Sequence, residues 1–250
     1  MDALAQAVRA LRRNAGTVAV YLVLTCGVSA IGRLTKRVAA SDLFAAPSAQ
    51  TLAAFSFTSD LFLAAGFGLV QALLFSRLGE EMDRPLWKVP GDREAIRRFF
   101  PLWFAINLLT VTTLSLMERA ARAGAPEDVS NSLLLALFLL FLFATPSGAV
   151  VMFLGKFRWQ DLPAAFVPLS TQFREFVIVL ILNFFVFTWY IDLAPFLLER
   201  PELRDNQVFL TALDVPFNLI DCLVFAAVWH ICRMHRQYMN EQGGSDDFDF

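Results

Sequence analysis

Six apolar runs, at about 15–32, 52–76, 99–117, 132–155, 175–198 and 207–232, dominate the chain. Each approaches the ~20 residues needed to cross ~30 Å of hydrocarbon at ~1.5 Å per residue. Hydrocarbon offers no hydrogen-bond partners, so an open-chain segment of this kind closes its backbone bonds within a helix. The expected fold is therefore all-α: a polytopic integral membrane protein of about six transmembrane helices, forming one domain over residues 1–240 in a lipid bilayer. Charged residues make up 18% of the chain, against about 25% in soluble domains, which agrees with that class. The 26 Phe suit lipid-facing surfaces better than ordinary core filling.

Ahead of the first run, residues 3–13 predict a short amphipathic helix. Leu4, Val8 and Leu11 share one face, and Arg9, Arg12 and Arg13 reach toward headgroups. The N-terminus lacks the closing pattern of a cleavable signal peptide. Of the 21 Lys and Arg, seven (Arg33, Lys36, Arg37, Arg119, Arg122, Arg200 and Arg204) fall in alternate loops, and the other fourteen share the N-terminal side. The positive-inside rule then predicts both termini in the cytoplasm of a bacterial inner membrane, although the first outer loop pulls against it. Ala64, Gly68 and Ala72, with Gly66 beside them, form a small-residue seam for close helix approach. Pro146 and Pro195 are expected to kink or end the fourth and fifth spans. Residues 77–98 read as the largest loop, and 157–174 as an interfacial segment. Cys26, Cys222 and Cys232 lie in or beside apolar runs without metal or disulfide spacing.

The last run carries Gln207, Thr211, Asp214, Asn218 and Asp221 at spacings of 4, 3, 4 and 3. At about 100° per residue they fall within an arc of about 80° on one helix face. Asp60 and Asp192 lie in the outer halves of the second and fifth spans, and Asn107 and Asn183 lie at mid-span. Intramembrane carboxylates are costly and usually face a protein interior or a water-filled cavity. With spans drawn as above, none encloses a Lys or Arg, so these acids lack an evident cationic partner. Asp221, Asn218, Asp214, Asp60 and Asp192 are therefore candidates for an ion or proton site, with hydrogen bonding between helices as the plainer alternative. Asp214-Val215-Pro216 also resembles a helix start, which would move the span's beginning from 207 to near 215.

Enzyme motifs are weak. Thr145-Pro146-Ser147-Gly148 in the fourth span, with His230 in the sixth, is similar in layout to the rhomboid proteases. That family pairs a Ser in a G-x-S-G motif with such a His. Here Thr145 replaces the first Gly, Pro146 precedes the serine, and the second span has no His. Glu80-Glu81 resembles the paired glutamates of the intramembrane prenyl endopeptidases, but the later histidine motifs are missing. No P-loop, H-E-x-x-H pair or zinc spacing occurs, so no catalytic residue, metal or cofactor is assigned.

Residues 241–250 predict a flexible acidic tail after a Gly-Gly hinge. Asp246, Asp247 and Asp249 interleave with Phe248 and Phe250. The tail is similar to the peptide with which bacterial single-stranded-DNA-binding proteins dock partners; the resemblance implies a docking mode, against an inert solubilising tail. A basic amphipathic helix, six spans, Pro146-Ser147-Gly148 in the fourth span, an interfacial segment and a last span ending in His235-Arg236-Gln237-Tyr238 complete the pattern. In this layout the chain resembles the YciC-like bacterial inner-membrane proteins and the membrane-anchor domain of some glycerophosphodiester phosphodiesterases. Phe166-Val167-Pro168-Leu169-Ser170 departs from that family's Arg-rich interfacial helix. The resemblance implies a six-helix membrane protein and carries over no catalytic residues. The expected role is a non-catalytic structural or accessory subunit beside other membrane-protein subunits, with no nucleic acid bound. A small cation- or proton-coupled transporter is the alternative.

Overall fold

Each apolar run closes its backbone hydrogen bonds within a helix, and the helices outrun the apolar stretches that predict them. The computed structural model describes residues 3–40, 49–82, 91–155, 166–198, 200–204 and 206–241. Among these, all regular structure is helical: α1 (Ala3–Arg13), α2 (Ala15–Ala40), α3 (Ala49–Met82), α4 (Asp92–Arg122), α5 (Glu127–Leu154), α6 (Val167–Thr171), α7 (Phe173–Leu198), α8 (Pro201–Arg204) and α9 (Gln207–Glu241). Six of them, α2, α3, α4, α5, α7 and α9, are long and apolar enough to cross a membrane. The chain is a multi-pass, all-α membrane protein.

Helix α9 is the axis of the bundle. It packs on α1, α2, α3, α5, α6 and α7. Nine consecutive residues, Val224 to Cys232, are buried. A helix enclosed on every side has no lipid-facing stripe, so its burial carries no 3.6-residue rhythm there. An aromatic column fixes this region. Phe75 of α3 stacks between Tyr21 of α2 (centroids 4.9 Å apart) and Phe225 of α9 (4.3 Å), and meets Trp103 of α4 edge-on at 5.3 Å. Trp103 donates its indole N–H to Met152 Sδ of α5 at 3.1 Å. Phe75, Phe99 and Phe225 are thus core, while Phe57, Phe62, Phe173 and Phe185 are exposed on the bundle surface. Lipid-facing use explains only part of the Phe content.

The small-residue seam on α3 meets two neighbours. Ala64 and Ala72 are fully buried. A Cβ on Gly68 would lie 2.8 Å from the Phe104 backbone nitrogen, so the α3 and α4 backbones touch there; one on Gly66 would meet Val28 of α2 at 3.0 Å. Only the absence of a side chain permits the first approach.

The expected loop 77–98 is shorter. α3 continues to Met82 and α4 begins at Asp92. Arg77 joins the two helices with a bidentate pair to Asp92, Nε to Oδ1 at 3.1 Å and a terminal nitrogen to Oδ2 at 2.6 Å. Charge drew that loop boundary, yet long charged side chains sit readily on helix ends beyond the apolar stretch. Pro146 and Pro195 lie inside α5 and α7, which run on past them. Of the segment 157–174, residues from 166 onward form α6 and the start of α7, and the remainder lies outside the described residues.

Helix α1 is docked on the bundle. Ala3 and Ala7 are buried, and the Ala3 N–H donates to Glu175 Oε2 of α7 at 3.0 Å. Its alanine face, rather than Leu4, Val8 and Leu11 alone, holds it in place, and Val8 is exposed.

Candidate functional site

The polar face of α9 begins at its first residue. Helix α9 is continuous from Gln207 through Pro216, so Asp214 does not start the span. Gln207, Thr211 and Asp214 therefore stack along one side, each a turn from the next. A single side chain of α2 engages all three. Arg33 donates Nε to Gln207 Oε1 at 3.2 Å, one terminal nitrogen to Asp214 Oδ2 at 2.8 Å, and the other to Thr211 Oγ1 at 2.9 Å. The expectation that the intramembrane acids lack a cationic partner is thus corrected for Asp214. The first apolar run stops at residue 32, but α2 continues to Ala40 and its candidate span reaches Thr35. Arg33 belongs to the bundle and not to a loop.

The remaining candidates separate. Asn218 donates its amide to the Asp214 carbonyl oxygen at 2.8 Å, a bond within its own helix. Asp221 accepts from Thr145 Oγ1 of α5 at 3.3 Å. Asp60 of α3 is 2% exposed, and its Oδ1 has no hydrogen-bond partner among the described residues. Asp192 is exposed near the end of α7. Of the five acids and amides proposed from sequence, α9 supplies three as a column, while Asp60 and Asp192 stand on other helices. No group of three or more His, Cys, Asp or Glu able to hold a metal converges among the described residues. The docking candidates Asp246, Asp247, Phe248, Asp249 and Phe250 lie outside the described residues; α9 itself extends through Glu241.

Side chains outside the candidate set do much of the holding. Arg33 and Thr145 close the polar column from two sides. Asn107 of α4 donates to Gln71 Oε1 of α3 at 2.6 Å, and Asn183 of α7 to the Leu142 carbonyl of α5 at 3.2 Å. Each bond joins two helices inside the bundle. Apolar contacts bring little hydrophobic gain in lipid, so such bonds add to packing at roughly 0.6 kcal/mol each.

The protease-like pair does not meet. Helices α5 and α9 run in the same sense, and two contacts set their register: Thr145 with Asp221, and Phe153 with Trp229 at 5.2 Å between centroids. Eight residues separate the two contacts on each helix. Ser147 therefore lies level with residue 223, and His230 is seven residues further on, about 10 Å along the axis at 1.5 Å per residue. That height difference exceeds hydrogen-bond reach.

Chemically, the column holds two carboxylates with different partners: Asp214 meets a guanidinium and Asp221 a hydroxyl, while Gln207 Nε2 has no hydrogen-bond partner among the described residues. Asp214 has its countercharge within the chain, and its neighbours on the stripe share the same guanidinium. Comparison with protein families, curated proteins and solved structures finds no match to this chain in any of the three.

Proposed function

We propose that the chain is a non-catalytic structural or accessory subunit of a membrane assembly, in a bacterial cytoplasmic membrane with both termini in the cytoplasm. The Arg33 clamp carries this reading. A transporter's coupling carboxylate must exchange its cation, whereas Asp214 is tied to a cation of its own chain by a 2.8 Å bond. Polar groups within the bundle, Gln71 with Asn107 and Asn183 with the Leu142 carbonyl, likewise pair helix to helix. Fourteen basic residues on the side of the N-terminus against seven on the other support the proposed orientation. The layout resemblance to the YciC-like inner-membrane proteins points the same way.

Gentle detergent extraction of the tagged chain is expected to retain partner subunits in fixed stoichiometry. Removal of residues 243–250 is expected to lower that retention if the tail docks. A chain that purifies alone under all extraction conditions overturns the subunit reading. Asp221 favours the transporter as a second reading, because its carboxylate pairs with a hydroxyl rather than a cation. Ion-dependent flux in proteoliposomes that Asp221→Asn abolishes, with folding intact, would establish it.

A further inference from the structure

Five helices each bring one polar side chain to the same level of the bundle, and the aromatic column fixes that level. Phe75 of α3 stacks on Phe225 of α9, and these helices, the second and sixth of the six spans, run in the same sense. Gln71 and Asp221 stand four residues before those two rings, one turn toward the end at which α9 begins. Helix α4 runs the other way, so Asn107, four residues after Trp103, reaches the same level, where it meets Gln71 Oε1 at 2.6 Å. Tyr21 of α2 stacks on Phe75. Its hydroxyl faces Gln71, Asp221 and Cys222 and makes no well-formed hydrogen bond among the described residues. Thr145 of α5 completes the layer by donating to Asp221 Oδ1.

We propose that this layer binds one monovalent cation of the alkali class, with Asp221 and Thr145 as ligands and Tyr21, Gln71 and Asn107 as the polar wall. Asp221 has no cationic side chain beside it among the described residues, and its bond to Thr145, at 3.3 Å, is long against the usual 2.7–2.8 Å or so for O–H···O. A carboxylate inside a membrane bundle without a countercharge is costly, and a bound cation removes that cost. The oxygens around it are hard and uncharged, so the site balances a single positive charge. Asn107 uses both amide hydrogens, one on Gln71 Oε1 and one on the Trp103 carbonyl at 2.6 Å. A carbonyl only accepts, so this orientation is fixed and Asn107 Oδ1 is left to face a cation. The layer also has open space. Val208, Val215 and Leu219 mark the exposed side of α9, and Leu109 and Leu116 that of α4. At about 100° per residue Asp221 lies about 140° from the first side and Asn107 about 170° from the second. Both are only half-buried, so their remaining surface opens into the bundle and not to lipid. Entry is from the end at which α9 begins, past Asn218 and the partly exposed, mutually neutralised Arg33 and Asp214. The stacked rings and the enclosed stretch from Val224 to Cys232 close the other side. Occupancy requires no transport: a bound cation ties helices together in a subunit as readily as it loads a carrier, so binding and not flux is the test.

The full chain is studied in detergent at constant ionic strength, with N-methyl-D-glucamine replaced stepwise by Na⁺, Li⁺ or K⁺. Equilibrium dialysis with radiolabelled sodium is expected to find one saturable site per chain, and saturation to raise the melting temperature by about 5 °C. Asp221→Asn is expected to abolish both effects. Thr145→Val removes one oxygen and is expected to weaken binding about tenfold, whereas Asp192→Asn, an exposed acid on another helix, is expected to leave it unchanged. Should Asp221→Asn fail to fold, the contrast between Thr145→Val and Asp192→Asn still decides. No alkali-dependent binding or shift in the native chain, an equal response in Asp221→Asn, stabilisation by acid alone, or unchanged affinity in Thr145→Val overturns the proposal. Binding lost in Asp221→Asn without ion-dependent flux in proteoliposomes supports it and counts only against the transporter reading.

Discussion

Arg33 joins three residues of α9 through three different nitrogens, so its removal strands a carboxylate, an amide and a hydroxyl together. Losing one partner of a buried ion pair costs roughly 3–5 kcal/mol. The side chains of Arg33 and Asp214 remain 23% and 21% exposed, which lowers the expected cost of Arg33→Gln to about 2 kcal/mol. A thermal melt in detergent measures it. Arg33→Met combined with Asp214→Leu is expected to recover most of the loss, since no charge is then left uncompensated. Asp60 presents the opposite case. Its buried Oδ1 makes no hydrogen bond among the described residues, so Asp60→Asn is expected to hold or raise stability by up to about 1 kcal/mol. A clear fall in melting temperature would show that the carboxylate serves a contact or a function. The stripe on α9 was legible because spacing alone places Gln207, Thr211 and Asp214 on one face. Its partner was not. Hydropathy ends a span at the first charge, and Arg33 lies 181 residues from Asp214 in the chain.

Between elements, the contact of α3 with α4 depends on one missing side chain. A Cβ on Gly68 would press on Phe104 backbone atoms at 2.8 and 3.0 Å, which cannot rotate away. Gly68→Ala is expected to cost about 1–3 kcal/mol and to part the two helices. Gly27→Ala meets nothing within 4 Å and is expected to be neutral or stabilising by up to about 1 kcal/mol. Equal melting temperatures for the two variants would disprove the close approach. The small-residue seam could be recognised in sequence because helix period and residue size suffice to define it. Helix ends could not. Arg77 and Asp92 both sit on helices, because an ion pair across the intervening segment satisfies the charges that had marked a loop. Nor could the alternative start of α9 at 215 be excluded from Asp214-Val215-Pro216, since Pro216 suits a first turn as well as a helix interior bordered by interhelical bonds.

For the molecule as a whole, six spans and their alternation follow from the length of apolar runs, and the number of crossings puts the two ends of the described chain on one side. What hydropathy does not convey is which helix the others surround. From Val224 to Cys232 every residue but His230 is apolar, which fits lipid contact and full enclosure equally well; only packing decides, and it encloses them. That enclosure sets an order of events. Synthesis runs from the N-terminus, so α2, α3, α5 and α7 are all made before the helix against which they pack. Until α9 inserts, Tyr21, Phe75 and Met152 have no finished core to join, and the nascent bundle is expected to be open to quality-control proteolysis. A chain stopped at residue 206 is expected to be degraded several-fold faster in pulse-chase than the full chain. Supplying residues 207–241 as a separate peptide with its own insertion signal is expected to restore its half-life, making α9 the element on which the durability of the other spans depends.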